Sequence, residues 1–304
     1  MHERPRSSQS RRDGSPPRRG GSGGPLSPRP QPTSRPYPLL PRPTRQLWET
    51  LQQKTAHPGL LFDRFAPEAA VFGDEATTTP RRDFLRQVIE AAERLAASDL
   101  AREILGRWEA TVRAAGAEPV VVELQSRLVT GLGAHGPLEI GFRFDRMGFP
   151  VLPGSGLKGV ARAYAHLLEG LEESNEDFRR IFGRAPQKEH QGEPKKDAEA
   201  GSLVFFDAYP EPGWRLELDV MTPHFPNYYA GKALPTPWQN PNPITFLTVA
   251  PGARYRIAIG LRRGVEDPDG RLRHLALQWL VRGLALLGFG AKTTSGYGVF
   301  RGGG

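Results

Sequence analysis

The chain contains no cysteine among its 304 residues. This absence excludes disulfide bonds, a thiolate nucleophile, cysteine-ligated zinc and iron–sulfur clusters, and it makes a reducing, cytoplasmic setting the natural expectation. Apolar runs are also short: none approaches the roughly 18 residues that a membrane helix needs, and the N-terminus lacks the apolar segment of a secretory signal. We therefore expect no membrane contact, and we assign the chain no cofactor.

The excess of positive charge lies in the first 46 residues. They hold ten arginines, two acidic residues and eleven prolines, and their net charge of +8 equals that of the whole chain. Of the 41 basic and 33 acidic residues in total, 31 of each lie outside this segment. The composition predicts a disordered tail, either a solvated spacer or an arm attracted to phosphate. Nucleic-acid binding by the folded part must then depend on local placement of charge.

Hydrophobic periodicity predicts a helical N-terminal part followed by a mixed core. Apolar residues recur at helical spacing over 81–115, with a break near Ser98-Asp99, and then alternate with polar residues over 120–128 and 138–145, as in half-buried strands. Further along the chain we predict a helix over 157–171, strands over 202–209, 214–221 and 254–262, and a final helix over 272–284.

The order of these elements favours an α+β fold. Two strands precede the first core helix, which suits a sheet layered with helices better than a doubly wound parallel sheet. Residues 185–200 and the stretch 222–243, which has six prolines, are predicted to be irregular. The chain therefore divides into a tail over 1–46, a helical segment over 47–118 and a core over 119–304.

Three glycine-rich stretches imitate nucleotide-binding motifs without meeting their requirements. Residues 131–136 and 154–159 both match G-x-G-x-x-G, and residues 290–293 imitate the end of a P-loop. A dinucleotide site must follow a strand and open a helix, and a P-loop must be followed by a helix. Neither context is complete at any of the three stretches, so we exclude a Rossmann site and ATP hydrolysis.

The stretch that opens the helix after Pro153 has the chemistry of a phosphate site. Gly154, Ser155 and Gly156 place backbone N–H groups at a helix start, where the positive end of the helix dipole attracts anions. Lys158 lies in the first turn, and Arg162 follows one turn later on the same face. The alternative is a glycine-rich turn with a solvated lysine and arginine.

The C-terminal loop over 288–298 has a similar composition. Gly290, Lys292, Thr293 and Thr294 offer amides, hydroxyl groups and one ammonium group, which suit phosphates and ribose hydroxyls. Tyr297 offers a face on which a base can stack. The alternative is a tight turn with Tyr297 in the core.

These motifs resemble a known family. Residues 150–162 are similar to the signature of RAMP proteins, the repeat-associated subunits of CRISPR effector complexes. Residues 178–183 and 201–208 are similar to that family's next two landmarks, and residues 288–298 are similar to its C-terminal glycine-rich loop. The resemblance rests on the order and spacing of the motifs together.

The irregular excursion resembles one branch of this family. Residues 219–229 followed by 243–249 are similar to the sixth Cmr subunit of type III-B complexes. That resemblance implies a ferredoxin-like, RRM-like core with insertions. It also implies a non-catalytic subunit that holds the 3′ part of CRISPR RNA in an RNA-targeting antiviral complex. The implied partners are CRISPR RNA, target RNA, the repeating backbone RAMP subunit, the small helical subunit and the first Cmr subunit.

The resemblance also suggests which residues contact RNA. Carried over by motif, the expected RNA-facing residues are Ser155, Lys158, Arg162, Gly290, Lys292, Thr293 and Thr294. His224, Tyr228 and Tyr229 in the excursion either stack on RNA or pack on a neighbouring subunit.

The loop over 131–137 bears on whether the protein is an enzyme. Backbone RAMP subunits cut RNA with an aspartate in this loop, and none is present here. RAMP processing nucleases use histidine acid–base chemistry, for which His135 is the obvious candidate, but it has no matched partner. Asp219 with His224 is too sparse a pair for a metal site. We favour an RNA-binding assembly subunit; the alternatives are an endoribonuclease that processes CRISPR RNA and a protein-only scaffold.

Overall fold

The computed structural model describes residues 57–72, 79–133, 136–138, 140–186, 198–222 and 243–302, together with the helical positions Thr44 and Gln46. Several predictions lie outside the described residues: those for nearly all of the tail over 1–46, for His135, and for His224, Tyr228 and Tyr229 in the excursion.

Within residues 57–72 and 79–119, four helices precede the sheet. They are α1 Pro58–Arg64, α2 Glu68–Phe72, α3 Thr79–Ala96 and α4 Asp99–Ala114. The predicted break at Ser98-Asp99 is confirmed, because the Ser98 hydroxyl accepts a hydrogen bond from the N–H of Ala101 (3.2 Å) and so begins α4. The apolar face of α3 belongs to the same buried cluster as the core of the sheet.

A four-stranded antiparallel sheet lies at the centre of the fold. Its strands are β1 Val120–Leu124, β5 Tyr209–Pro210, β8 Arg254–Ile257 and β10 Phe300–Gly302, in the order β10-β1-β8-β5. Val122 is opposite Tyr255 in the β1–β8 pair, and both are fully buried. The mixture of helices and antiparallel strands confirms the predicted α+β class.

Two helices of the core pack against each other. Helix α5 Gly154–Leu167 follows β1, and helix α7 Arg271–Leu286 follows β8. They approach closely at Gly283, where an added methyl group would lie 2.9 Å from a side-chain carbon of Val160. The short helix α6 Glu176–Phe182 buries Phe178 beside them.

Three two-stranded sheets complete the structure. They pair β2 Gly183–Arg184 with β3 Glu199–Ala200, β4 Leu203–Phe205 with β9 Ile259–Leu261, and β6 Leu216–Met221 with β7 Ile244–Val249. A hydrogen bond from the N–H of Phe206 to the Ala258 carbonyl (3.1 Å) joins the β4–β9 pair to the β5–β8 pair. The two predicted strands over 202–209 and 254–262 are therefore each interrupted once.

The predicted strand over 138–145 is wrong for the described residues, 140–145 among them, which form no strand. The N–H groups of Gly141 and Arg143 instead donate to the carbonyls of Leu132 (3.4 Å) and Thr130 (3.1 Å), so the segment folds back on the chain that leaves β1. Phe142 is buried and Arg143 is exposed. The alternation of apolar and polar residues in this segment therefore belongs to an extended loop that packs against the core.

Among the helices in the described ranges, none has the length and apolar character to cross a membrane.

Candidate nucleic-acid interface

The start of α5 packs tightly against the core at Gly154. This residue is buried, and an added methyl group would lie 2.0 Å from the carbonyl oxygen of Phe205. Its N–H donates to the Asp207 carboxylate (2.7 Å). The prediction that Gly154 offers a free amide to a ligand is therefore wrong, because an acceptor within the chain already uses it.

Gly156 is required for a contact between the start of α5 and the C-terminal loop over 288–298. An added methyl group would lie 2.8 Å from two ring atoms of Phe289, and the Gly156 N–H donates to the Pro153 carbonyl (2.9 Å). Since Phe289 belongs to the C-terminal loop, the loop and the start of α5 lie side by side. The glycine makes room for a side chain of the protein, which the sequence interpretation did not foresee.

Ser155 and Lys158 are the groups at the start of α5 that face outward. Ser155 is exposed, and its N–H has no acceptor among the described residues. Lys158 is half-buried, and burial together with the nearby Arg162 charge lowers the pKa of its ammonium group. In the described part of the chain no carboxylate pairs with Lys158. An anion bound here would stabilise an otherwise uncompensated charge.

Arg162 is exposed but held in place. Its guanidinium group pairs with Glu173 (3.1 Å) and lies 5.6 Å from the centre of the Phe178 ring. The ion pair uses part of its donor set, and a guanidinium group has five N–H donors. Arg162 therefore keeps donors that can reach a ligand along α5.

Backbone hydrogen bonds fix the C-terminal loop against the chain that leaves β1. The N–H of Gly298 donates to the Arg127 carbonyl (2.8 Å), and the N–H of Ala291 donates to the Val129 carbonyl (2.9 Å). Gly290 is exposed with φ +92°, and an added methyl group would lie 2.4 Å from the Val129 oxygen. The loop is thus closely packed on its inner side.

The outer side of this loop presents a row of backbone amides. Lys292 has left-handed backbone angles (φ 59°, ψ 28°), and a 3₁₀ turn over Thr293–Ser295 follows. Within the described residues, the N–H groups of Lys292, Thr293 and Thr294 have no acceptor. Successive amides in such a left-handed and right-handed sequence form a concave nest that binds anions. The nest and the Lys292 side chain suit the predicted phosphate contact.

Tyr297 lies partly in the core, as the alternative interpretation of a tight turn predicted. It is half-buried, packs on the cluster that contains Phe246, and donates its hydroxyl to Asp219 (2.6 Å). The hydrogen bond to Asp219, with burial and the carboxylate charge, raises the pKa of the phenol. Asp219 also pairs with Arg127 (3.5 Å). Its carboxylate is thus engaged in anchoring the loop, and its suggested partner His224 lies outside the described residues.

The face of the central sheet that carries Arg254 and Arg256 lies partly under α4 and is an unfavourable RNA platform. Central strands β1 and β8 place Glu123 opposite Arg254 and Val121 opposite Arg256 on this face. Arg256 pairs with Glu211 (2.9 Å) and with Glu109 of α4. The face therefore carries paired charges and no stacked aromatic side chain on either central strand. Across the described ranges, no three metal-ligating side chains cluster together.

Comparison with known proteins places the chain in a family. The family model of the RAMP superfamily matches residues 121–301. The chain belongs to the RAMP superfamily. This match includes both glycine-rich loops and all four strands of the central sheet save the first residue of β1 and the last residue of β10.

Two curated relatives of this RAMP protein carry the name Cmr6. The CRISPR system Cmr subunit Cmr6 of Pyrococcus furiosus is 34% identical over 57% of this chain and 64% of its own length. The Cmr6 of Saccharolobus solfataricus is 28% identical over 53% of this chain and 48% of its own length. The alignments thus span less than two thirds of either relative.

A solved structure shares the fold of this RAMP protein. A chain of the cryo-EM structure of type III-B Cmr-beta bound to cognate target RNA aligns with a TM-score of 0.52 at 22% sequence identity. The alignment covers 77% of this chain and 78% of that chain. At this identity the likeness concerns the fold alone.

Sequence reasoning on this RAMP protein missed the residues that hold the loops in place. The carboxylate of Asp207, which lies between β4 and β5, accepts a hydrogen bond from the N–H of Gly154 at the start of α5. The ring of Phe289 fills the space over Gly156. Both lie within stretches that the motifs had already marked, at 201–208 and 288–298. Their partners are distant in sequence, so no local pattern could identify them.

Proposed function

We propose that the protein is a non-catalytic CRISPR RNA-binding and assembly subunit of a type III-B (Cmr) complex. Its membership of the RAMP superfamily and its similarity to two Cmr6 proteins support this role. By the resemblance of its motifs, its position is at the 3′ end of the guide. In this proposal it acts in RNA-targeting antiviral defence and works in the cytoplasm.

The observation that carries the proposal is the contact between the start of α5 and the C-terminal loop over 288–298. The Phe289 ring against Gly156 brings the start of α5 next to the loop that contains Lys292. One unpaired lysine at the start of α5 and one amide nest then form a single outward-facing anion-binding region. Ser155, Lys158, Gly290, Lys292, Thr293 and Thr294 are its proposed RNA contacts, with Arg162 beside them.

This assignment explains why the start of α5 and the C-terminal loop, and not the sheet face that carries Arg254 and Arg256, are the proposed contact surface. Phosphate contacts supply most of the sequence-independent affinity for RNA. Arg254 and Arg256 already pair with Glu211, whereas Lys158 has no carboxylate partner among the described residues. A guide bound by its backbone is therefore attracted to the loops.

We also propose a ferredoxin-like core for residues 119–304. The elements β1, α5, β5, β8, α7 and β10 follow one another along the chain, and the sheet order is β10-β1-β8-β5. This succession supports a β-α-β-β-α-β arrangement in which the neighbouring strands β5 and β8 are separated along the chain by an insertion. The helical segment over 47–118 is proposed as a separate addition to that core.

The proposed protein partners follow from the resemblance to the sixth Cmr subunit. They are the repeating backbone RAMP subunit, the small helical subunit and the first Cmr subunit, with target RNA paired to the guide. Co-purification of the tagged full chain from its host, followed by sequencing of the bound RNA, tests these partners. Recovery of unrelated RNA without other Cmr subunits would contradict the proposal.

The RNA contacts are tested by removing both lysines. Lys158→Ala plus Lys292→Ala should weaken binding of single-stranded RNA about equally for all sequences and reduce the slope of log affinity against log salt by about 1.4. The matched control is Arg82→Ala plus Arg263→Ala, which removes two exposed cations elsewhere. Equal effects of the two pairs would contradict the site.

The non-catalytic part of the proposal has its own test. Purified protein should leave precursor CRISPR RNA intact in the presence of a chelator. Metal-independent cleavage that is lost in His135→Ala would instead support the endoribonuclease alternative.

A further inference from the structure

A cavity of about 790 Å³ lies beside the exposed face of α5, within the range of ligand pockets. One wall is α5, and the others are residues 172–174, α6 and β2. Phe178 is the buried aromatic side chain in its lining, with the Arg162 guanidinium over the ring. Of the residues that line this cavity, the proposed function so far uses Arg162 alone.

Cationic side chains dominate the lining. Arg162, Arg179 and Arg184 all contribute, against the carboxylates of Glu172 and Glu173. The pair of Arg162 with Glu173 leaves most of the donors of that guanidinium group available. Several guanidinium groups around one cavity match the geometry of a phosphate group.

Arg179 adds an unsatisfied donor to this lining. Its Nε atom is buried and has no hydrogen-bond acceptor within the described residues, and a carboxylate oxygen of Glu199 lies 3.6 Å away. A buried donor without an acceptor is costly. A ligand oxygen or a bound water in the cavity would relieve that cost.

The cavity is continuous with the proposed RNA-binding region. Lys158, Arg162 and His166 lie on one face of α5 at successive turns, about 6 Å apart along the axis. Gly159 also borders the cavity, and an added methyl group there would meet no atom within 4 Å. A strand held at Lys158 can therefore continue along α5 without obstruction.

We propose that this cavity holds one phosphate-bearing nucleotide of the bound RNA, next along the strand from the part held at Lys158. The inference rests on the proposed function, because it extends the same RNA path. The continuity with Lys158 favours RNA over an acidic segment of a neighbouring protein as the occupant.

A charge reversal at the cavity tests the proposal by a gain of binding. Glu172 is exposed and lines the cavity, whereas Glu90 is an exposed glutamate on α3 away from it. Glu172→Lys in the full chain should raise the affinity for a fluorescein-labelled 20-nucleotide oligouridine about fivefold at physiological salt. Glu90→Lys should change it less than about twofold, since the charge is far from the strand. Damage to the fold cannot produce such a gain.

A steric block is the second arm. Gly159→Phe places a ring in the open space at the cavity wall, and Gly106→Phe does the same at an exposed glycine of α4. Both replacements favour the helix over glycine. Loss of one held nucleotide should weaken binding about tenfold in Gly159→Phe alone.

The outcomes separate this inference from the proposed function. If wild-type protein binds the RNA and both cavity variants match their controls, the cavity proposal is overturned while the proposed function stands. If wild-type protein does not bind RNA at all, both fail. If the cavity variants change only the recovery of other Cmr subunits in a pull-down, the occupant is an acidic protein segment and the proposal is overturned.

Discussion

The backbone at Lys292 allows stability and RNA binding to be separated at one residue. Among the described residues, it is the non-glycine position with positive φ, at 59°. Glycine adopts this conformation without the steric cost that a Cβ atom imposes. Replacing Lys292 with glycine should therefore relieve strain and remove a cation of the proposed RNA site at the same time.

The expected change in the free energy of unfolding follows from two opposing contributions. A left-handed non-glycine residue costs about 1–2 kcal/mol, whereas glycine costs about 0.5–1 kcal/mol through the greater entropy of its unfolded state. Relative to Lys292→Ala, which keeps the strain and loses the charge, Lys292→Gly should raise the free energy of unfolding by about 0.5–1 kcal/mol. In a chain of this size that corresponds to a rise in Tm of about 2 °C.

RNA binding should behave differently in the same two variants. Both lose one ammonium group from the loop, so each should reduce the slope of log affinity against log salt by about 0.7 for a single strand. Urea unfolding and fluorescence anisotropy with labelled RNA measure the two quantities on the same samples. A Lys292→Gly protein no more stable than Lys292→Ala would refute the strain argument, and an unchanged salt slope in both would refute the contact.

Three further predictions concern neighbouring groups. Gly154→Ala should lower the free energy of unfolding by more than about 2 kcal/mol, because the added methyl group would overlap the carbonyl oxygen of Phe205. Gly159→Ala should raise it by about 0.5–1 kcal/mol, because alanine favours the helix over glycine and meets no atom there. Urea unfolding measures both changes. The lowered pKa of Lys158 means that its charge is lost at a lower pH than that of an ordinary lysine. RNA affinity should therefore begin to decline at a lower pH in wild type than in Lys158→Arg, as read by anisotropy across pH. Tyr297→Phe should cost about 1 kcal/mol in urea unfolding through loss of the hydroxyl bond, and an unchanged stability would contradict that anchor.

Local patterns in the sequence were sufficient to predict the long helices and most strands, but they missed the short helix α6 and the strand β7. The break at Ser98 follows from local chemistry, because the Ser98 hydroxyl accepts a hydrogen bond from the backbone N–H of Ala101, three residues later. The segment over 138–145 shows the limit of this reasoning. Its sequence alternates between apolar and polar residues, yet Ile140, Gly141 and Phe142 are all buried, and only a partner strand, which is distant in sequence, turns such alternation into a sheet.

The candidate site was predictable in its residue types but not in the roles of its glycines. Glycine at 154 and 156 suggested close approach of a ligand, yet the atoms that approach belong to Phe205 and Phe289. A requirement for glycine identifies close approach and not the identity of the approaching group. Lys158 and Lys292, whose side chains project from these packed turns, remain the predicted contacts.

The balance of charge in the folded part sets how strongly a single subunit can bind RNA. With 31 basic and 31 acidic residues outside the tail, no net field attracts the guide, so affinity depends on the few cations along α5 and the C-terminal loop. Two or three phosphate contacts imply a shallow salt dependence and weak binding by the folded part alone. In an assembly, contacts by neighbouring subunits to the same strand raise the effective concentration of this one, so weak local contacts suffice to fix its position on the guide.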